Sequence, residues 1–228
     1  MRLLSLQVAL FVDGVIDRPD LLMPQINAEF NNMFNDMPNV IKLPPEAPAE
    51  IPIVQMFSID QKYHLNISRS RVDLFYTAQA PLVDSTPLYL QTLSPLIAQF
   101  YNYIVENRKI PINRVGFITT IFYPEEKNIS RIVKRYFSDK SFEKSCELSF
   151  RVNTQSKIKS HVINNILNVE ANTLFQRSGD QESSTNGIVV TSDINNIPNG
   201  TPLSISAVKS IVTYAEKRLD EATLKEMI

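Results

Sequence analysis

Large apolar residues at every second position of residues 4–12 alternate with less uniformly apolar ones, and this period of two is typical of a half-buried strand that ends near Asp13-Gly14. After Pro19-Asp20, apolar residues recur every three or four positions over residues 23–34, which predicts a helix with an aspartate cap. Prolines are dense over residues 38–52, so that segment is predicted to be an extended surface connection.

Three strand-like segments follow, at residues 53–59, 63–68 and 72–77. The polar breaks between them, Asp60-Gln61 and Arg69-Ser70, are short enough for hairpin turns. The pattern therefore predicts an antiparallel meander.

A helix is predicted next, because Leu93, Ile97, Tyr101 and Ile104 form one apolar stripe that ends by Lys109. Its start is placed at Thr86-Pro87 or at Ser94-Pro95, since both pairs offer a cap followed by a first-turn proline. A strand is then predicted over residues 115–121, and a further amphipathic helix after Pro124 with Ile132 and Val133 on its apolar face.

The second half repeats this order of elements. Strands are predicted at residues 146–152, 161–169 and 188–191, with a mobile loop over residues 176–187. A last helix follows Thr201-Pro202, with an apolar stripe of Val208, Ile211, Val212, Ala215 and Leu219. Residues 53–108 and 146–226 are both interpreted as three strands and one helix, which suggests a duplicated βββα unit.

Consecutive strands with short turns predict the α+β class, with an antiparallel sheet and helices on one face. The chain is divided into an N-terminal α+β lobe, residues 1–140, and a C-terminal βββα lobe, residues 141–228. The alternative is one continuous domain, because 228 residues lie between one large domain and two small ones.

The composition is that of an ordinary globular protein, with 43% hydrophobic residues, 21% charged residues and a formal charge of -1. Cys146 is the single cysteine, so no disulfide can form within the chain and a cytoplasmic location is expected. No apolar run approaches the roughly 18 residues of a membrane-spanning helix. A membrane protein is therefore not expected.

Motifs for catalysis are missing from the sequence. The five glycines fit neither a dinucleotide fingerprint nor a phosphate-binding loop, and no nucleophile-elbow motif occurs. The two histidines, His64 and His161, have no metal-ligand partner at close spacing, so neither a metal nor a cofactor is predicted.

One acidic motif, Glu125-Glu126-Lys127, has the Glu-x-Lys pattern of metal-dependent nucleases, with Asp20 as an earlier acid. A helix start with acids at the positive end of its dipole explains the same residues.

Basic residues are concentrated between Lys127 and His161, where nine positive residues face three negative ones, whereas residues 1–60 have an excess of five negative charges. Arg131, Lys134 and Arg135 share one predicted helix face, and Lys157 and Lys159 follow farther along the chain. These five residues are the candidate site for a nucleic acid or a protein partner. An ordinary solvated surface accounts for them equally well.

Residues 53–60 and 63–74, together with Asn113-Arg114-Val115-Gly116-Phe117, resemble the central hairpin and a strand of a sporadically distributed, uncharacterised bacterial protein family. The resemblance implies no catalytic residues. The patchy distribution of that family implies an accessory role in mobile-element or phage-defence loci.

Two functions remain open from the sequence. The first is a non-catalytic binding or assembly protein, since acidic and basic segments are separated, with a protein partner or a homo-oligomer as the complex. The alternative is a nucleic-acid-binding protein or metal-dependent nuclease that uses the basic segment 127–161, with Glu125 and Glu126 as metal ligands.

Overall fold

A computed structural model of the chain describes residues 2–79, 86–124, 147, 149–178 and 181–218. Nine strands form one antiparallel sheet in the order β2-β3-β4-β5-β1-β6-β9-β8-β7. The strands are β1 (Arg2–Val12), β2 (Asn39–Val40), β3 (Val54–Phe57), β4 (Tyr63–Ile67), β5 (Arg71–Thr77), β6 (Ile112–Pro124), β7 (Ser149–Ile158), β8 (His161–Ser178) and β9 (Gln181–Asn196).

The meander predicted for the first half is confirmed as β3, β4 and β5. Its turns lie at the two predicted polar breaks, and Gln61 adopts the left-handed conformation, with a φ of 57°, that a tight turn requires. The meander then pairs with β1, which brings Val8 opposite Leu74. The first strand of the chain thus becomes an inner strand of the sheet.

Strands β1 and β6 lie at the centre of the sheet and join its two halves. They pair antiparallel, with Val8 opposite Phe117, and the pairing shifts between Leu3 and Ser5. One sheet therefore runs through both of the lobes proposed from the sequence. Whether the lobes are separate folding domains stays a prediction.

Strands β7, β8 and β9 complete the far half, and here the sequence prediction of a loop over residues 176–187 is wrong. Strand β8 continues to Ser178 and β9 begins at Gln181, with these two residues paired. The segment lacks the apolar alternation by which a half-buried strand is recognised, and backbone hydrogen bonds between the two strands form the ladder without it.

Three helices belong to the described part of the chain: α1 (Met23–Glu29), α2 (Thr86–Asn102) and α3 (Ile205–Lys217). Helix α2 starts at the first of the two predicted positions, with Pro95 inside it, and continues as a π-helical turn over Tyr103–Asn107. Helix α3 begins after Ser204, whose hydroxyl accepts a hydrogen bond from the Ala207 N–H.

Helix α1 is shorter than the sequence predicts. It ends at Glu29, and Asn31 and Asn32 then take positive φ values of 52° and 55°, a conformation that asparagine tolerates better than most residues. Phe30 and Phe34 still reach the core beyond the helix, where their rings meet edge to face at 5.9 Å.

The main core lies between the sheet and the helices, which pack on one face. Helix α2 contacts both α3 and β1, and α3 also contacts β6. The predicted helix stripes are confirmed where they are described: four residues of α2 and its π turn and four of α3 are buried, namely Leu93, Ile97, Tyr101, Ile104, Val208, Ile211, Val212 and Ala215. The fold is therefore α+β, with a strand-rich antiparallel sheet. None of the described helices has the length and apolarity to cross a membrane.

Candidate partner-binding surface

Strand β7 forms one edge of the sheet. Among the described residues its only hydrogen-bonded neighbour is β8, along a continuous register from Ser149 opposite Glu170 to Ile158 opposite His161. An edge strand presents a row of backbone N–H and C=O groups that no neighbouring strand satisfies. The ten residues of β7 thus offer a long template for another strand.

The pairing shows which backbone groups face outward. Val162 O accepts a hydrogen bond from Ile197 N at 2.9 Å, so Val162 bonds toward β9 and Ile163 bonds toward β7. Ile163 lies opposite Ser156, so the even-numbered residues of β7 bond to β8. The N–H and C=O groups of Arg151, Asn153 and Gln155 therefore point away from the sheet.

The edge of β7 is basic. Residues 149–161 contain Arg151, Lys157 and Lys159 and no aspartate or glutamate. Arg151 and Lys157 are exposed and lie on the face of the sheet away from the helices. Lys159 occupies the β7–β8 turn with a φ of 54°, and its Nζ lies 3.2 Å from the Ser206 hydroxyl of α3.

Strands β8 and β9 extend beyond both of their neighbours and form a two-stranded arm. Strand β6 ends at Pro124 opposite Gly187, and β7 begins at Ser149 opposite Glu170. Residues 171–178 and 181–186 consequently pair only with each other in the described structure. Phe175 lies on this arm with 79% of its surface exposed. We name residues 171–178 and 181–186 the arm.

The base of the arm is tightly built. Gly187 lies against the ring of Phe122 and the carbonyl group of Tyr123, with no room for a Cβ atom. A small apolar cluster of Val169, Ile188 and Val190 lies beside it, separate from the main core. The arm therefore starts from a rigid part of the sheet.

Helix α3 fixes the position of β7 and β8 from the other side. The Tyr214 hydroxyl donates to Asn165 Oδ1 at 2.9 Å and lies 3.1 Å from the Ser156 hydroxyl, which Asn165 Nδ2 also contacts at 3.1 Å. A pocket of about 190 Å³ opens next to this network, lined mainly by apolar groups of Phe150, Val152 and Leu167. Val152 is 45% exposed, so apolar surface reaches the edge of the sheet.

One face of the sheet is not packed by any of the described helices, and we name it the helix-free face; in the half away from β7 it holds Asp73 and His64, whose pKa values are both shifted. Asp73 is 1% exposed, and burial raises its pKa to about 6 although Arg71 Nε lies 2.7 Å away and Gln7 donates at 3.1 Å. His64 is stacked on Phe75 at 4.0 Å, and burial lowers its pKa. Both groups are held by neighbouring side chains, as structural groups of a sheet are.

The structure describes two of the five predicted site residues, Lys157 and Lys159, and does not bring their side chains together: Lys157 lies on the face away from the helices, whereas Lys159 contacts Ser206 of α3. Arg131, Lys134 and Arg135 lie outside the described residues, as do Glu125 and Glu126. Asp20, the earlier acid of the nuclease hypothesis, forms a 2.7 Å ion pair with Arg18. In the described ranges no three His, Cys, Asp or Glu side chains come close enough to hold a metal ion.

Sequence reasoning missed the arm and the outward-facing backbone of β7. The one signal is a run of small and polar residues, which includes Thr173, Thr185 and Asn186. Composition of this kind is equally typical of loops. Comparison with protein-family models gives no match, and a search of curated proteins gives none either.

Proposed function

We propose that the chain is a non-catalytic binding or assembly protein whose protein contacts are made by the arm and the neighbouring edge of β7. The observation that carries this proposal is Phe175, a large aromatic side chain 79% exposed on a ribbon that leaves the sheet. Exposed aromatic residues on a defined scaffold are typical energetic centres of protein interfaces.

The construction of the arm supports the same function. In the described part of the chain the arm pairs with no third strand, and an isolated two-stranded ribbon is marginally stable in water. Contact with a partner would stabilise it by burying Phe175, and its rigid base at Gly187 would limit the conformational entropy lost on binding.

We propose that the partner is either a second copy of the chain or a different protein. We also propose an accessory role in a bacterial defence or mobile-element system, and the family resemblance of residues 53–74 supports this role. A nucleic-acid-binding or nuclease function of segment 127–161 is the alternative. The measurement of DNA and RNA binding described below tests it.

We further propose that the two halves of the chain are duplicated units. The order of elements supports this. Strand β1 pairs with β5, the third strand of the first meander, and β6 pairs with β9, the third strand of the second meander. A long helix follows each meander, α2 in one half and α3 in the other.

Light scattering of the chain alone, and mixed with the products of its genomic neighbours, tests the function. We expect a complex larger than the 25.9 kDa monomer. The substitution Phe175→Ser should weaken this complex by about tenfold or more, because an aromatic contact at the centre of an interface contributes about 1.4 kcal/mol or more. Met37→Ser is the matched control, since Met37 is 85% exposed in the other half of the chain.

A mass of 25.9 kDa in every mixture would contradict the proposal. An equal effect of the Phe175 and Met37 variants would contradict the assignment of the interface to the arm. Salt-sensitive binding of short DNA or RNA, retained in Phe175→Ser, would favour the alternative function.

A further inference from the structure

The edge of β7 has a backbone pattern and a charge pattern that together select one kind of partner segment. From these we infer that β7 binds an extended acidic polypeptide segment, which adds to the sheet as a tenth strand. This inference rests on the proposed binding function and assigns the chemical class of the partner.

The backbone groups at the edge of β7 favour a polypeptide as the partner. Arg151, Asn153 and Gln155 each direct an N–H and a C=O outward from the same strand edge, so donors and acceptors alternate along it. Another extended polypeptide satisfies both kinds of group, as in strand addition to an exposed sheet edge. The backbone of DNA offers acceptors only, and that of RNA adds one 2′-hydroxyl donor per nucleotide, so neither matches the alternating donors and acceptors of a strand edge.

The charged side chains of β7 favour an acidic partner. Arg151 and Lys157 lie six residues apart on the same face of β7, with the amides of Asn153 and Gln155 between them. Cross-strand pairs of opposite charge on one face stabilise a sheet. The segment that fits this edge carries two acidic residues six positions apart, with polar residues between them on that face.

The opposite face adds one apolar requirement. Val152 is 45% exposed at the rim of the pocket that Phe150 and Leu167 also line. A residue of the added strand directly across from Val152 would cover it, because directly opposed side chains lie about 4.5–5.5 Å apart. An apolar residue is therefore expected next to one of the acidic positions.

A second copy of β7 is a poor occupant of the same edge. In an antiparallel pair centred on Thr154, Arg151 of each copy would lie opposite Lys157 of the other, on one face of the joined sheet. Residues 149–161 contain no acid to compensate these charges. Lysine and arginine on an edge strand act against self-pairing of this kind, and the same charges attract an acidic segment.

The test uses the full chain and a blocked peptide of sequence Glu-Thr-Asn-Thr-Gln-Val-Glu, which has the required charges and one apolar residue. NMR chemical shifts and amide hydrogen exchange locate the binding. We expect shifts along β7 and slower exchange at the outward amides of Arg151, Asn153 and Gln155. The same peptide with lysine in place of both glutamates should lose binding.

Two variants separate the backbone from the side chain. Asn153→Pro removes one outward N–H without touching the bonds to β8, and should weaken peptide binding by about tenfold or more. Asn153→Ala is the matched control, because it removes the same amide side chain and keeps the N–H. Arg151→Glu with Lys157→Glu should reverse the preference between the acidic and the basic peptide.

Four results would overturn the inference. The first is equal binding of both peptides. The second is binding of a short single-stranded DNA or RNA at β7 where the acidic peptide leaves the outward amides unchanged. The third is a dimer, detected by light scattering, that Asn153→Pro dissociates, because a second copy would then occupy the edge. If no peptide binds while Phe175→Ser still disrupts a complex, this inference fails and the proposed function stands.

Discussion

At the scale of single residues, the helix-free face shows how polar groups are held inside a sheet. Asp73 lies between β4 and β1 with 1% of its surface exposed, and its carboxylate is contacted by Arg71 and Gln7. These partners favour the charged carboxylate, and loss of hydration opposes it. Loss of hydration is the larger effect, so the pKa of Asp73 is raised to about 6.

This raised pKa predicts a pH dependence of stability. Between the ordinary pKa of 3.8 and about 6, the folded chain binds more protons at Asp73 than the unfolded chain does. The free energy of unfolding should therefore fall as pH rises through this window, by about 3 kcal/mol from this group, and change little from it above pH 7.

Urea unfolding of the wild type and of Asp73→Asn at pH 4 and at pH 7 measures the effect. The other carboxyl groups are common to both proteins, so their contributions cancel in the comparison. We expect the wild type to lose more stability than the variant between the two pH values. The same loss in both proteins would contradict the assignment.

At the scale of elements, hairpins and amphipathic helices could be predicted from the sequence because local signals define them. The turn at Asp60-Gln61 and the stripe of α3 are examples, since alternation, turn residues and helical spacing all lie within a few residues. The length of β8 and β9 could not be predicted, because residues 176–186 contain no apolar residue and so give no alternating pattern. The edge of β7 was recognised only by Lys157 and Lys159, because the direction of its backbone groups depends on the strand pairing.

The base of the arm provides a test at this scale. A Cβ atom at Gly187 would overlap the carbonyl group of Tyr123 and the ring of Phe122, whereas a Cβ at Gly116 meets Ile118 Cδ1 at an ordinary 3.5 Å. Gly187→Ala should therefore lower the free energy of unfolding by about 1–3 kcal/mol, as overpacking does. Gly116→Ala is the matched control within the same sheet and should cost less than about 1 kcal/mol. Chemical denaturation of both variants gives the comparison, and equal stabilities would show that the arm base is less tightly packed than described.

At the scale of the whole molecule, the pairing of β1 with β6 determines where the proposed binding surface lies. It places both meanders outside the centre of the sheet, so that β3 and the short β2 end one side and β7 ends the other. This arrangement depends on contacts between residues about one hundred positions apart, such as Val8 and Phe117, which no local sequence pattern encodes. The α+β class followed from element order, but the strand order and the exposed edge did not.

The two sides of the sheet end differently in the residues that the structure describes. The outer side of β3 is partly covered by β2, and a proline-rich connection follows β2. Strand β7 has ten residues at its edge and the arm beside it. A partner is therefore expected at the β7–β9 end.

Amide hydrogen exchange of the chain with and without its partner is the most direct test of the proposed binding surface. Light scattering with the products of the genomic neighbours identifies that partner. We expect the protection of amides on binding to be concentrated in residues 149–158 and in the arm, and Phe175→Ser to remove this protection. Protection confined to β2–β4, or to the helix-free face around His64 and Asp73, would contradict the proposed binding surface.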